Sequence, residues 1–183
     1  MPRAKTTTTK VESLAQAVVF EGRVFHVERE KVRLTNGRTV VLDIVRHRGS
    51  VVLVPVPSPD HVILIRQYRH AIRQWIWELP AGSLEANERP SVAARRECAE
   101  EIGLEPKRVR RLASFYPTPG FCDERMTFYK CEQLAPPARP AARDLDEQIE
   151  PRTFSMRDAW ALVTKREIVD MKTVVGLFLI AQK

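Results

Sequence analysis

The stretch AGSLEANERPSVAARRECAEEIGL, Ala81 to Leu104, decides how this chain is read. Pro90 stands where a first helical turn tolerates proline and Gly103 where a helix end favours glycine, which predicts a helix over Pro90 to Ile102. At about 100° per residue, Ala94, Cys98 and Ile102 then form one apolar stripe, while Glu97, Glu100 and Glu101 gather on another side. Glu97 and Glu101 are like charges one turn apart, and Glu100 and Glu101 also oppose the negative end of the helix dipole. Each conflict costs on the order of a few tenths of a kcal/mol.

Two readings answer that cost. The face is solvated, with Arg96 and Glu100 as an i,i+4 pair, or it serves a ligand that needs the charge. A hard divalent cation, Mg²⁺ or Mn²⁺, would relieve the repulsion, because carboxylates on adjacent turns can share it and it can in turn hold phosphate oxygens.

Upstream, alternating GRVFHVERE, then KVRL, an Asn36-Gly37 pair suited to a type I′ hairpin, and RTVVLDIVRH predict antiparallel strands. SVVLVPVPSPDHVILIRQYRH predicts two apolar strands joined around Pro57-Ser58-Pro59-Asp60. Downstream, RVRRLASFY, RMTFYKCEQL and residues 148 to 154 read as strands. SMRDAWALVTK, with Ser155 as N-cap, and MKTVVGLFLIAQK read as helices. Strands interleaved with three helices predict an α/β sandwich with a mixed sheet. Trp75 and Trp77 alternate and so share one face, expected to pack into the core, with stacking on a base as the alternative.

The 183 residues suffice for one function, and no apolar run approaches the length that spans a bilayer. Three cysteines without metal-site spacing suggest reduced, structural thiols, and the cytoplasm is the expected location. The net charge of +7 lies mostly in the first 50 residues, and no nucleic-acid-binding signature accompanies it. It fits attraction of a small phosphorylated substrate as well as of nucleic acid, which is the less favoured partner.

The central stretch resembles the Nudix signature, a highly specific pattern. Gly82, Glu88, Arg96-Glu97, Cys98, Glu100-Glu101, Gly103 and Leu104 match it, with cysteine the one unusual occupant of its slot. The resemblance implies a Nudix-type α/β/α sandwich with a mixed sheet and Mg²⁺- or Mn²⁺-assisted attack of water on a pyrophosphate joined to a nucleoside. It implies Glu97 and Glu101 as main metal ligands, Glu100 assisting, the Ala81 carbonyl adding one oxygen, and Arg96 orienting the glutamates.

Neighbouring segments resemble the ADP-ribose pyrophosphatase branch. RQYRHAIRQWIWELPAG leads into the signature as in that branch, which implies that Arg69 contacts substrate and that Glu85 and Glu88 line the site. Arg66 is grouped with Arg69, although both could also be cations on an edge strand. YPTPGFCDE places Pro119 at the branch's substrate-class proline, followed by Gly120, a pair that would also make a simple tight turn. DEQIEP puts Glu147 where some members carry a catalytic glutamate, among acids that could also be only solvated. Where relatives supply an arginine near the adenine this chain has an apolar position around Val41, with Asp43 two residues on as a substrate-binding candidate.

The expectation is therefore a metal-dependent hydrolase of the pyrophosphate bond of ADP-ribose or a related nucleoside diphosphate sugar. Its alternatives are a non-hydrolytic ADP-ribose sensor and an RNA or nucleotide pyrophosphohydrolase. Residues 1–16 are expected as a tail, 17–48 as an N-terminal antiparallel β extension that builds a homodimer, and 49–183 as the catalytic domain. A small sheet with open edges needs a partner surface, and the resemblance implies that a second subunit supplies it.

Overall fold

The computed structural model describes residues 10–138 and 148–181. The chain divides into two compact units, one made of the residues up to Arg48 together with Thr118–Glu124, the other of Gly49–Pro117 and the chain from Arg125 on.

The first unit is an antiparallel meander of β1 (Glu12–Glu21), β2 (Phe25–Arg33) and β3 (Thr39–His47). Strand β1 begins inside the segment expected to be a tail; its apolar residues run consecutively at Ala17-Val18-Val19-Phe20, so the sequence lacks the alternation that would mark a strand. The turn between β2 and β3 is not type I′. Only Gly37 has a positive φ, of 82°, whereas type I′ needs two such residues. Gly37 N–H donates to Leu34 O at 2.9 Å and Leu34 N–H to Arg38 O at 2.8 Å, the three-residue loop that places glycine in its left-handed bulge position. Asn36 contributes through its side chain, which accepts from Arg38 N–H at 3.0 Å.

Residues Thr118–Glu124 are tied to β3. Val45 N–H donates to Phe121 O at 2.8 Å, Asp123 N–H donates to Val45 O at 3.1 Å, and His47 N–H donates to the Asp123 carboxylate at 2.8 Å. Arg46 gathers the carboxylates of Glu28, Glu30 and Asp123.

The second unit holds a mixed four-stranded sheet and an antiparallel three-stranded one. In the first, β4 (Ser50–Val56) lies between β7 (Ala81–Ser83) and a parallel β9 (Met126–Ala135), which also pairs with β8 (Glu105–Phe115). In the second, β5 (His61–Arg69) is central between β10 (Ile149–Ser155) and β6 (Gln74–Glu78). The apolar runs predicted as β4 and β5 are both strands, but in different sheets.

Both are buried on two faces because a helix lies over each face. Val51, Leu53, Ile63 and Ile65 pack with Ala93, Ala94, Cys98 and Ile102 of α1 (Pro90–Ile102). Val52, Val54, Val62 and Leu64 pack with Ala159 of α2 (Met156–Thr164) and Leu177 of α3 (Met171–Ala181). Each such fully buried side chain contributes about 1.5–3 kcal/mol of apolar transfer energy, and continuous rather than alternating apolar sequence follows from burial on both sides. The α/β/α sandwich with its mixed sheet agrees with the expectation from sequence.

Ser155 caps α2 as expected, accepting from Asp158 N–H at 3.1 Å. The tryptophans part company: Trp77 meets Phe154 edge to face in the α2 and α3 core, whereas Trp75 is exposed beside Tyr68. Strand β6 runs past the cover of the helices at Trp75. The cysteines form no disulfide among the described residues, and the Cys98 thiol is pushed far up by a hydrogen bond with Cys131 and by burial, leaving it an inert apolar group. No helix among the described residues is long and apolar enough to cross a membrane.

Candidate active site

Helix α1 starts at Pro90 with no side-chain cap and ends at Gly103, which adopts φ 71° and returns its N–H to Ala99 O. The apolar stripe seats this helix against the sheet, and seating it turns the acidic face inward at its C-terminal half. Glu97 is 8% exposed and Glu101 4%. That burial removes the reading of a solvated face, since ionised carboxylates are almost never buried unless they are paired or coordinate a cation.

Arg96 answers part of the charge. Its Nε and Nη2 hold both oxygens of Glu88, at 3.0 and 2.9 Å, while Nη1 donates to Glu97 at 2.7 Å and to Glu100 at 2.9 Å. The same guanidinium reaches Ser83 O at 3.3 Å, so it ties the loop after β7 to the helix. Its own pKa is raised, chiefly by the Glu88 hydrogen bonds and against the pull of burial, and Glu88 is held below the ordinary carboxylate range by Arg96.

Strand β7 approaches the glutamates from the other side. Ala81 N–H donates to Glu101 at 3.0 Å. Glycine at position 82 lets Glu97 keep its place, because a Cβ there would lie 1.9 Å from the Glu97 carboxyl carbon. The glycine that opens the signature is therefore the space into which the Glu97 carboxylate folds.

Three carboxylates share one guanidinium, and two of the helix's glutamates are nearly out of water. As the side chains stand, no three His, Cys, Asp or Glu residues among those described are drawn together as a finished ion cage; Arg96 lies between Glu97 and Glu100. The donor set is oxygen only and carries excess negative charge, which suits a hard divalent cation and not a soft one.

A second polar cluster adjoins the strand leading into β7. Glu78, 1% exposed, accepts from Arg69 Nε at 2.7 Å and Nη2 at 3.0 Å, and also from Lys172 Nζ. Lys172 donates further to Asp170 at 3.0 Å. Asp170 caps α3 through Thr173 N–H at 3.0 Å, and Thr173 Oγ1 accepts from Leu79 N–H at 2.8 Å. Burial works against the Arg69 charge, but the bonds and charge of Glu78, with smaller help from Glu101 and Asp170, leave its pKa raised. Gln67 stands two residues before Arg69 on the same face of β5, with a buried side-chain oxygen that has no hydrogen-bond partner among the described residues.

The structure thus brings together Glu88, Arg96, Glu97, Glu100, Glu101 and Ala81. Glu85 stays exposed and joins the group through its N–H, which Glu88 accepts at 3.1 Å. Arg66 differs from Arg69: being three residues apart, they leave opposite faces of β5, and Arg66 lies over the Trp75 ring at 5.4 Å. Neither sits on an edge strand, since β5 is central. Asp43 belongs to the first unit, in a bidentate pair with Arg29 at 2.7 and 3.0 Å. Pro119 and Gly120 belong to that unit as well, in a turn where Phe121 and Cys122 N–H return to Thr118 O. Glu147 lies outside the described residues.

Sequence reasoning passed over Glu78, Asp170, Lys172 and Thr173. The available signals were an aspartate three residues before a threonine at the head of a predicted helix, an N-cap spacing, and a single lysine in the otherwise apolar run MKTVVGLFLIA.

Comparison with known proteins identifies the family. A family model described as the NUDIX domain matches residues 46–173. An ADP-ribose pyrophosphatase of Bacillus subtilis is 34% identical, over 91% of this chain and 90% of its own. A methanol dehydrogenase activator of Bacillus methanolicus is 35% identical, over 87% of this chain and 86% of its own. A crystal structure of an ADP compounds hydrolase superposes with a TM-score of 0.82 at 23% identity, covering 98% of this chain and 96% of that one, a likeness of fold. The chain belongs to the Nudix family of hydrolases. Dependence on a divalent metal is a general property of that family.

Proposed function

We propose that this chain hydrolyses the pyrophosphate bond of ADP-ribose, or of a closely related nucleoside diphosphate sugar, to a nucleoside monophosphate and a sugar phosphate. The observation that carries this reading is the buried acidic face of α1, with Glu97 and Glu101 turned inward and Arg96 shared among three carboxylates, in a chain so similar to a named ADP-ribose pyrophosphatase.

Glu97 and Glu101 would hold Mg²⁺ or Mn²⁺, with Glu100 and the Ala81 carbonyl assisting. When bound, the cation supplies neutralisation of the diphosphate charge and acidification of water. The protein's own part is positional. Arg96 fixes the carboxylates, Gly82 makes room for Glu97, and Ala81 N–H fixes Glu101, so the oxygens are set before substrate arrives. Arg69, anchored by Glu78 and partly open to solvent, faces the diphosphate; Glu88 and Glu85 complete the wall. Glu147 serves as general base or orients the attacking water.

The protein acts as a homodimer in the cytoplasm. The first unit supports the dimer, because Val18, Val19 and Phe20 of β1 and Val41 and Leu42 of β3 leave large apolar side chains exposed. Free thiols suit a reducing compartment.

The experiment is a substrate panel of nucleoside diphosphate sugars, dinucleotides and 5′-triphosphorylated RNA with Mg²⁺, products separated by chromatography. AMP and ribose 5-phosphate formed from ADP-ribose at the highest kcat/KM support the reading. Turnover confined to RNA, or binding of ADP-ribose without turnover, sinks it.

A further inference from the structure

Lys172 has no part in the chemistry just described, yet it is 8% exposed in a helix that is apolar apart from it and Thr173, and lysine is almost never buried without a reason. Its ammonium and the Arg69 guanidinium converge on one carboxylate, that of Glu78. If Arg69 were the only partner, the pair would be a closed unit of no net charge, and the guanidinium would be spent on it. Lys172 alters that balance. Asp170 compensates it in part, but the same aspartate oxygen also serves Thr173 N–H and Oγ1 at the positive end of α3. Within this cluster Arg69 is the member most open to water, with 39% of its side chain exposed. The four charges balance, but Lys172 takes two carboxylates whereas Arg69 has only a share of one, so the less fully neutralised cation is Arg69.

The geometry repeats the point. Helix α3 grips the end of β6 twice in succession, through Lys172 on the Glu78 side chain and through Thr173 on the Leu79 N–H. Two residues further on the chain reaches Ala81, which holds Glu101.

We infer that Lys172 is a positioning residue for Arg69: by sharing Glu78 it fixes the carboxylate that anchors the guanidinium and takes up part of its charge, so that Arg69 offers a diphosphate a positive charge that Glu78 only partly neutralises. Only the ligand class rests on the proposed function; the effect on Arg69 is a property of the free protein.

That separation sets the test. In Lys172→Met, modification of Arg69 by an arginine-directed dicarbonyl, read by mass spectrometry without substrate, is expected to slow about tenfold, the size of a one-unit pKa change. KM for ADP-ribose is expected to rise by a similar factor with kcat changed less than about threefold. Lys172→Gln, which keeps a donor to Glu78, makes the same comparison if the methionine variant does not fold. Combining Glu78→Gln with Lys172→Met removes both buried charges and is expected to restore the modification rate. In an Arg69→Ala background Lys172→Met is expected to change KM less than about twofold. An unchanged Arg69 modification rate, or a KM effect that persists without Arg69, overturns the proposal. Failure of the wild-type protein to hydrolyse ADP-ribose overturns the functional reading alone.

Discussion

Gly82 and Glu97 occupy the same space: the Cβ that glycine lacks would stand 1.9 Å from the carboxyl carbon of the glutamate. A side chain at 82 must displace the end of Glu97, which is flexible, and not backbone. Gly82→Ala is therefore expected to fold with nearly wild-type Tm but to lose about 100-fold or more in kcat, the cost of misplacing a reacting group by an ångström. A loss of stability with activity retained per folded molecule would contradict this.

Glu97→Gln and Glu101→Gln keep the shape of the acidic face and remove its charge. Each should lower kcat by about 100-fold or more while the melting temperature holds, because like charges one turn apart are relieved. Excess EDTA should abolish turnover in the wild-type protein. Unfolding of both variants would assign these residues to structure instead.

Glu147→Gln is expected to cost about 10² to 10⁴ in kcat with KM little changed, the usual contribution of a positioned base. A loss of less than a few-fold would move that role to Glu100.

The Glu88–Arg96 pair sets an acid limit on stability. Arg96 lowers the Glu88 pKa from its ordinary 4.5, so the folded protein binds this proton less readily than the unfolded chain. The stabilisation is fully present above about pH 4.5 and disappears as pH falls through the depressed folded-state value. Denaturant titrations between neutral pH and pH 3 should show the slope; in Arg96→Met the part due to Glu88 should shrink to what the Glu85 N–H bond alone supplies, and an equal slope in both proteins would refute the assignment.

The exposed apolar side chains of the first unit predict a dimer of twice the 21.0 kDa chain mass by light scattering. Val18→Lys with Val41→Lys should shift it to monomer and raise KM. A wild-type monomer with full activity at nanomolar concentration would falsify the dimer.

The acidic helix was legible from its sequence because proline and glycine mark its ends and the 3.6-residue period sorts its faces, all local properties. The sandwich was legible because β4 and β5 are continuously apolar, which only burial on two sides explains. What sequence could not give was pairing between distant segments. Strand β1 has no alternation to reveal it, the Asn36-Gly37 turn is decided by a third loop residue, and Trp75 escapes the core that takes Trp77. Lys172 and Glu78 are 94 residues apart, and nothing in either neighbourhood announces the other.

The interleaving of Thr118–Glu124 with β3 bears on the order in which the molecule is made. Val45 and His47 emerge from the ribosome early, yet the groups that take up their backbone bonds, Phe121 and Asp123, follow only after the acidic helix and most of the sheet strands have been synthesised. The N-terminal unit is thus translated first and finished late, and until residue 124 appears β3 keeps an unpaired edge, open to other chains or to a chaperone.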